Sequence, residues 1–287
     1  MKTLIKFTLF LIVLLIPYYA FAQQTATPVS LFKMGNNLYE VRGGRGANGG
    51  AFIGEYGVLL IDAKMDKQSM DQVMIEIRKL TDKPVKFMVN THSDGDHVAG
   101  NQFLPESVTI VAHENCRKEF FHPGRSGEPS SWNDPELAPY VPSVTFTDKM
   151  DLYVDPKKTE LWYFGKGHTT GDIVVYFPED KIAFIGDQIF IGRTQLIHSY
   201  KGGNSFEHVE TLEKMLETLD AEKFCSGHAE PIDRDMIRTH ITEMKDMQNK
   251  VSGYVNNNYT LENIKKEFNE NQGNLIESIY NEITAAK

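Results

Sequence analysis

The chain has 287 residues, of which 41% are hydrophobic and 24% are charged. These values are average for a soluble globular protein and exclude a disordered polymer, a collagen-like chain and a coiled coil. Thirty basic residues against 39 acidic ones give a net charge of −9, and such a surface repels phosphate backbones, so we expect no nucleic-acid partner. Two cysteines, Cys116 and Cys225, are too few for a disulfide scaffold. Pairing between them and separate buried thiols both remain open.

The first 22 residues have the three parts of a secretory signal peptide. Lys2 and Lys6 precede an unbroken apolar run at residues 9–16, and a small-x-small site follows at residues 20–22. We therefore predict cleavage after Ala22 and a single domain at residues 23–287 in the periplasm or outside the cell, without stable membrane association. Removing Lys2 and Lys6 leaves 28 basic and 39 acidic side chains, a net charge of −11.

Strand and helix patterns alternate along the rest of the chain. Apolar residues from Met70 to Leu80 follow a helical period, and Asn204 with Glu207 is typical of a helix N-terminus with a capping box. Residues 122–142 are predicted to be a long surface loop, and the chain from about residue 234 is mostly helical with a break at 255–259. The predicted strands are residues 38–41, 57–62, 85–90, 108–112, 152–154, 160–164, 173–177 and 182–185. Propensity alone leaves α/β and α+β folds open.

Potential metal ligands are concentrated directly after the strand at residues 85–90. In an extended chain, residues i and i+2 share a face, so His92 and Asp94 point towards one common site. Gly95 permits a sharp turn, after which Asp96 and His97 face a neighbouring site. Nitrogen and oxygen donors suit a divalent ion such as zinc. Taken alone, the segment is also compatible with a solvated acidic turn between a strand and a helix.

Three further segments have the same character. His168 lies in a glycine-rich loop at residues 165–172, and His228 follows a glycine near a strand end. Asp187 ends an apolar strand, where an unpaired buried charge would be costly without a cation. Ligands on loops at one end of a rigid sheet are a common way to build a metal site.

With these segments and the strand that ends at Asp62, the sequence resembles the metallo-β-lactamase fold superfamily. The order and spacing of all five motifs agree over nearly the whole chain after residue 22. The resemblance implies an α+β fold, a four-layer αβ/βα sandwich of two mixed β-sheets with outer helices. It also implies a dinuclear metal site at one edge of the sheets.

The resemblance assigns a role to each motif residue. Asp187 would bridge both ions, Asp62 would orient a ligand, and Asp96 would act in catalysis by orienting the attacking hydroxide. A bridging aspartate in place of a cysteine is similar to the glyoxalase II, lactonase and arylsulfatase side of the superfamily. The ligands are His92, Asp94 and His168 for the first ion and Asp96, His97 and His228 for the second.

Asp94 departs from the family pattern, which is usually H-x-H-x-D-H. The departure adds a third carboxylate to Asp96 and Asp187 and makes the site less positive. Zinc remains the first choice for the two expected ions, with Mn²⁺ or Fe²⁺ more favoured than usual because they are harder ions.

Substrate contacts are predicted from the segment after Asp187, where the family usually has a substrate-lining loop. His198 and Tyr200 are candidates, and Arg193 suits either a substrate carboxylate or a surface salt bridge. Trp132, in the long loop, is compatible with a lid over the site or with an ordinary anchor.

The sequence therefore predicts an exported hydrolase that uses a metal-bound hydroxide on a small-molecule amide, ester or thioester, of β-lactamase, lactonase or thioesterase type. Two alternatives are a catalytically weak metal-binding or sensing protein of the same fold and, further, a phosphodiesterase. The acidic charge and the predicted export disfavour the phosphodiesterase.

Overall fold

A computed structural model describes residues 27–285 of the chain. The predicted signal peptide lies outside the described residues, so export stays a prediction. Within residues 27–285, no helix has the length and apolar character needed to cross a membrane.

Twelve strands form two mixed sheets. The first sheet has the order β1-β2-β3-β4-β5-β6-β7, antiparallel as far as β4 and parallel from β4 onwards. Its strands are β1 Ser30–Lys33, β2 Leu38–Arg42, β3 Gly49–Ile53, β4 Val58–Ile61, β5 Val85–Val89, β6 Thr109–His113 and β7 Val144–Phe146.

The second sheet has the order β12-β11-β10-β9-β8, and only β11 and β12 run parallel. Its strands are β8 Lys149–Leu152, β9 Thr159–Trp162, β10 Val174–Phe177, β11 Ile182–Gly186 and β12 Lys223–Ser226.

Seven α-helices lie in the described part of the chain. They are α1 Lys67–Arg78, α2 Gly95–Val98, α3 Glu114–Phe120, α4 Ser205–Thr218, α5 Arg234–Asn256, α6 Leu261–Lys266 and α7 Gly273–Ala285. Short 3-10 turns lie at Ala99–Phe103, Ser131–Asn133, Pro135–Tyr140, Ser199–Lys201 and Glu270–Gln272.

Three apolar interfaces divide the molecule into four layers. Side chains such as Leu59 and Phe184 meet between the two sheets. Met70 of α1 packs on the outer face of the first sheet, and Leu212 of α4 with Ile241 of α5 packs on the outer face of the second. The predicted α+β, four-layer αβ/βα sandwich is confirmed.

Several local predictions need correction. Asn204 does cap α4, accepting from the backbone N–H groups of Phe206 and Glu207, but the Glu207 carboxylate accepts from Lys166 instead of completing a capping box. β8 begins three residues before the predicted strand at 152–154 and overlaps it only at Leu152, and the sequence does not predict β1, β3 or β7.

Two side-chain questions left open by the sequence have answers in the structure. Cys116 and Cys225 are both free and buried, in different apolar clusters. Trp132 packs against Phe120 with ring centroids 4.8 Å apart, so it anchors the long loop to α3.

The topology gathers chain segments at one edge of the sandwich. Asp62, His92, Asp187 and His228 follow the carboxyl ends of β4, β5, β11 and β12, and the parallel pairs β4–β5 and β11–β12 align these ends. His168 lies on the loop that enters β10. The fold thus places all five sequence motifs at a common edge.

Candidate metal centre

Two groups of potential metal ligands lie at this edge, and Asp187 belongs to both. In each group the donor atoms lie within 4.8 Å of one another. The first group is His92, Asp94, His168 and Asp187, and the second is Asp96, His97, Asp187 and His228. The structure therefore brings together every residue predicted to be a ligand, in the predicted grouping.

Two glycines allow the strand ends to approach this closely. Gly186 has φ +53°, a left-handed conformation, and a Cβ there would lie 2.5 Å from Thr91 Oγ1. A Cβ at Gly227 would lie 2.6 Å from His97 Cε1 and would also collide with the Asp187 carboxylate. A side chain at either position would push the ligands apart.

The first group is enclosed. Asp94 Oδ2 lies 3.0 Å from His168 Nε2 and 3.7 Å from His92 Nε2, and Asp187 Oδ2 lies 4.0 Å from His92 Nε2. The side chains of His92 and His168 are 1% and 0% exposed. An ion held here would be nearly cut off from solvent.

The second group opens to solvent. His228 Nε2 lies 3.0 Å from Asp96 Oδ2 and 3.1 Å from Asp187 Oδ2, while His97 Nε2 lies 3.1 Å from Asp187 Oδ1. The side chains of Asp96 and His228 are 28% and 27% exposed. A ligand from solution reaches the centre on this side.

Hydrogen bonds donated by Nδ1 fix the ring orientation of two histidines. His168 Nδ1 donates to the Leu196 carbonyl oxygen at 2.8 Å, because a carbonyl can only accept. His97 Nδ1 donates to Asp62 Oδ2 at 2.8 Å. Both rings therefore direct Nε2 into the centre, as metal-binding histidines with an oriented Nδ1–H do.

His92 is oriented through a relay. The Thr91 hydroxyl donates to Asp62 Oδ2 at 2.7 Å, so its oxygen is left to accept from His92 Nδ1 at 3.1 Å. Asp62 Oδ1 also accepts from the Thr91 backbone N–H, and Asp62 itself has φ +55°. Asp62 thus contacts His97 directly and His92 through Thr91, which matches the orienting role predicted for it.

The donor set fits divalent ions. His92 Nε2 is buried and has no hydrogen-bond partner. His97 Nε2 and Asp187 Oδ1 are also buried and, although 3.1 Å apart, are not aligned for a hydrogen bond. Unpaired buried polar atoms cost free energy unless something binds them, and these three all face the centre. Imidazole and carboxylate donors at these separations suit zinc and related ions.

Strong mutual charge effects hold the carboxylates ionised. Burial alone would raise the pKa of Asp187, but His97 and His228 outweigh it and hold the pKa well below its usual range. For Asp94, burial is likewise outweighed by hydrogen bonds from His168 and His198, so its pKa also lies well below the usual range.

The histidines show the reverse effect. Burial would lower their pKa values, but Asp94 raises the pKa of His168 to about 9, and Asp187 with Asp96 raises the pKa of His228 to about 9. Metal binding would therefore displace protons from these rings.

Lys201 is a site residue that the sequence analysis missed. Its Nζ donates to Asp94 Oδ1 at 2.6 Å and to Ser93 Oγ at 2.8 Å, and its side chain is only 9% exposed. No spacing rule links residues 107 positions apart. One feature of the sequence could have indicated it. Asp94 is a third carboxylate in the predicted centre, and a lysine or arginine near the predicted pocket residues His198 and Tyr200 would balance its charge.

The three predicted pocket residues have different positions. His198 Nε2 contacts Asp94 Oδ2 at 2.8 Å, and Tyr200 packs on His198 with ring centroids 5.1 Å apart. Arg193 is exposed, and its guanidinium lies 4.0 Å above the ring of Phe190. Phe190 in turn stacks on His228 at 5.5 Å. Arg193 and Phe190 also line a groove of about 990 Å³ that continues along α5.

Comparisons with known proteins agree with this geometry. The family model described as the metallo-beta-lactamase superfamily matches residues 42–228, a range that contains both ligand groups. A type 2 metallo-beta-lactamase of Elizabethkingia meningoseptica is 25% identical over 170 residues, which are 57% of this chain and 63% of that protein.

A second relative is not named as a metallo-beta-lactamase. The alpha subunit of a 2,4-dinitroanisole O-demethylase of a Nocardioides species is 26% identical over 149 residues, 50% of this chain and 42% of that protein. The chain thus spans about two fifths to two thirds of the lengths of these relatives.

Solved structures show the same fold. A metallo-beta-lactamase from Pontibacter korlensis has a TM-score of 0.62 at 18% identity, covering 76% of this chain and 99% of that one. The DIM-1 metallo-beta-lactamase has a TM-score of 0.61 at 17% identity, covering 77% and 99%.

Proposed function

The chain belongs to the metallo-beta-lactamase superfamily, and on this premise we propose that it is an exported hydrolase with two metal ions, zinc first among them, acting on a small-molecule amide, ester or thioester. The observation that carries the proposal is the placement of Asp187. One carboxylate is shared by two groups of ligands, of which one is enclosed and the other is open to solvent.

Divalent ions bound in these groups would acidify a water for attack and polarise the bond to be cleaved. The enclosed first group would hold its ion through His92, Asp94 and His168, of which His92 Nε2 is buried without a hydrogen-bond partner. The open second group would hold its ion through Asp96, His97 and His228, on the side that a substrate reaches.

Asp96 is the group best placed to move a proton. It lies in the first turn of the short helix α2, its side chain is partly exposed, and Oδ2 lies 3.0 Å from His228 Nε2. A carboxylate there can orient the attacking water, accept its proton and pass the proton to the leaving group. Burial alone would raise the pKa of Asp96, but His228 and His97 outweigh it and keep the pKa below its usual value, so the carboxylate is ionised and able to accept a proton.

The groove beside Phe190 supports a substrate of small-molecule size. Its volume of about 990 Å³ is in the upper range of small-molecule pockets. Phe190 lies between the groove and His228, so a substrate seated there would extend its reactive bond towards the second group. Arg193 at the groove would pair with a negatively charged substrate group.

A hydrolysis screen tests the proposal. The purified protein is loaded with zinc or manganese and assayed on a β-lactam, a lactone, a thioester and a phosphodiester, with Asp187→Asn as the inactive control. We expect hydrolysis of at least one of the first three substrates, its loss with a chelator, and its return when metal is restored. Two bound ions without hydrolysis of any substrate would overturn the proposal in favour of a metal-binding or sensing protein.

A further inference from the structure

Asp94 uses its two carboxylate oxygens for different partners. Oδ2 faces the centre, within 3.0 Å of His168 Nε2 and 3.7 Å of His92 Nε2. Oδ1 faces the other way and accepts from Lys201 Nζ at 2.6 Å. Oδ2 therefore faces the ligand group, where it also contacts His198 Nε2 at 2.8 Å, whereas Oδ1 is held by the lysine.

Lys201 is held firmly in this position. It ends the 3-10 turn Ser199–Lys201, and Gly202 follows with φ +85°. Its Nζ also donates to Ser93 Oγ, and the Ser93 hydroxyl donates to Glu119 Oε2 at 2.5 Å. Glu119 is itself buried and accepts from the backbone N–H of Thr170. The ammonium group is thus fixed by a network outside the ligand groups.

The position of Lys201 has two chemical consequences for the first group. Its positive charge offsets the charge of Asp94, so the three carboxylates and one ammonium leave the centre with the charge of two carboxylates. Its hydrogen bond also blocks Oδ1, so Asp94 offers one donor atom instead of two. Two imidazole nitrogens with one oxygen each from Asp94 and Asp187 make four donors, which suits four-coordinate zinc. A carboxylate that binds through both oxygens favours larger coordination numbers and ions such as Mn²⁺.

On the premise that the centre binds metal as proposed above, we infer that Lys201 is a positioning residue that keeps Asp94 a single-oxygen ligand and so sets the first group's preference for zinc. Lys201 does not touch the substrate, because its side chain is buried and its contacts with Asp94, Ser93 and the Tyr200 ring are all within the protein. It acts through Asp94. If Lys201 acts in this way, Asp94 would not shift the centre towards harder ions, contrary to the expectation from the sequence.

The test is a double-mutant cycle read by metal binding. The variants are Lys201→Met, Asp94→His and the combination of both. The matched control is Lys166→Met, which removes a lysine of the loop at residues 165–172 that is paired with Glu207 instead of Asp94. Zinc and manganese affinities are measured by competition with a chelating dye. The Co²⁺-substituted proteins give visible absorption spectra, which weaken when the coordination number rises from four.

We expect Lys201→Met to reduce the preference for Zn²⁺ over Mn²⁺ by about tenfold or more, the scale on which residues behind metal ligands act. The Co²⁺ absorption should weaken, and Lys166→Met should change neither value. In the Asp94→His background, the effect of Lys201→Met on zinc binding should reverse. The imidazole carries no negative charge and offers no second oxygen, so the Lys201 ammonium loses its carboxylate partner and repels the ion. There, Lys201→Met should raise zinc affinity.

The outcomes separate this inference from the proposed function. Wild-type protein that binds no ion in these groups would overturn the proposed function itself. Wild-type protein that binds two ions, with selectivity and Co²⁺ spectrum unchanged in Lys201→Met, would overturn only the role of Lys201. Should Lys201→Met alone fail to fold, equal zinc affinity in Asp94→His and in the double variant would overturn it instead.

Discussion

The two ligand groups share Asp187 but differ in their access to solvent. In the first group, His92 and His168 are buried, and Lys201 and His198 close off Asp94. In the second group, Asp96 and His228 are more than a quarter exposed. Closed metal sites hold structure, and sites with an open position perform chemistry. In the proposed enzyme, this difference would give the first group a mainly structural role and the second group contact with the substrate, with Asp187 shared by both.

Replacing the shared ligand, Asp187, should have the largest effect, because both ligand groups depend on it. Asp187→Asn keeps the shape of the side chain but removes the charge that both groups use, so we expect both ions to be lost and activity to fall by more than about 100-fold. Metal content after gel filtration and kcat/KM check this. Glu160→Gln, a buried acid on β9 paired with lysines, is the control and should keep both ions. Asp187→Asn with two ions still bound would show that the groups do not depend on this residue.

Asp62→Asn should affect the two groups unequally. Asp62 contacts the second-group ligand His97 directly and the first-group ligand His92 only through Thr91. We expect affinity for the second ion to fall about 10- to 100-fold, with a smaller effect on the first. Stepwise zinc titration measures both constants, and equal losses would mean that the relay through Thr91 is as important as the direct bond.

The metal-free protein should lose stability as the pH rises. The folded-state pKa of His168 and that of His228 lie at about 9, above the ordinary value of 6.5. Their stabilising contribution is therefore fully present below about pH 6.5 and is lost as pH rises through about 9. The melting temperature in chelator should fall between pH 6.5 and 9.5.

Bound zinc should remove this dependence of the melting temperature on pH, because the zinc ions replace the protons on His168 and His228. Melting curves of the zinc-loaded protein over the same pH range make the comparison, and proton release on zinc addition at pH 7 gives a second measure. A metal-free protein whose melting temperature rises towards pH 9.5 would contradict the coupling of His168 to Asp94 and of His228 to Asp187.

Arg193→Gln should have the smallest effect. Arg193 is exposed and reaches the second group only by stacking on Phe190, so metal content and kcat should stay unchanged. For a substrate with a carboxylate we expect KM to rise by less than about tenfold, since exposed ion pairs contribute about 1 kcal/mol or less. A matched neutral substrate should show no change, and an equal rise for both would identify Arg193 as a packing residue.

The sequence carried most of the information about the centre because its ligands follow strand ends. His92, Asp187 and His228 each follow the buried carboxyl end of a strand, and parallel pairing brings such ends together. Lys201 was not predictable in this way, since it follows no strand and its partner lies 107 residues away. The placement of His198 against Asp94 also depends on a loop whose path no periodicity describes.

The errors in the predicted fold have a related cause: only strands with a clear apolar pattern can be recognised in the sequence. β4 and β5 are short apolar runs and were predicted within a residue or two. β3 begins with Gly49 and Gly50, which have no side chains to show an alternation, although they allow the close contact of Gly50 with Phe184 of the second sheet. β1 is a largely exposed edge strand without an apolar pattern.

The most direct test of the account is a crystal structure of the zinc-loaded protein with anomalous scattering recorded at the zinc edge. The account predicts two peaks, one bonded to His92 Nε2, Asp94 Oδ2 and His168 Nε2, and the other bonded to Asp96, His97 and His228. Both peaks should lie at about 2.0–2.2 Å from an oxygen of Asp187, with Lys201 still on Asp94 Oδ1. A single peak, or zinc bound elsewhere with Asp187 free of metal, would contradict it.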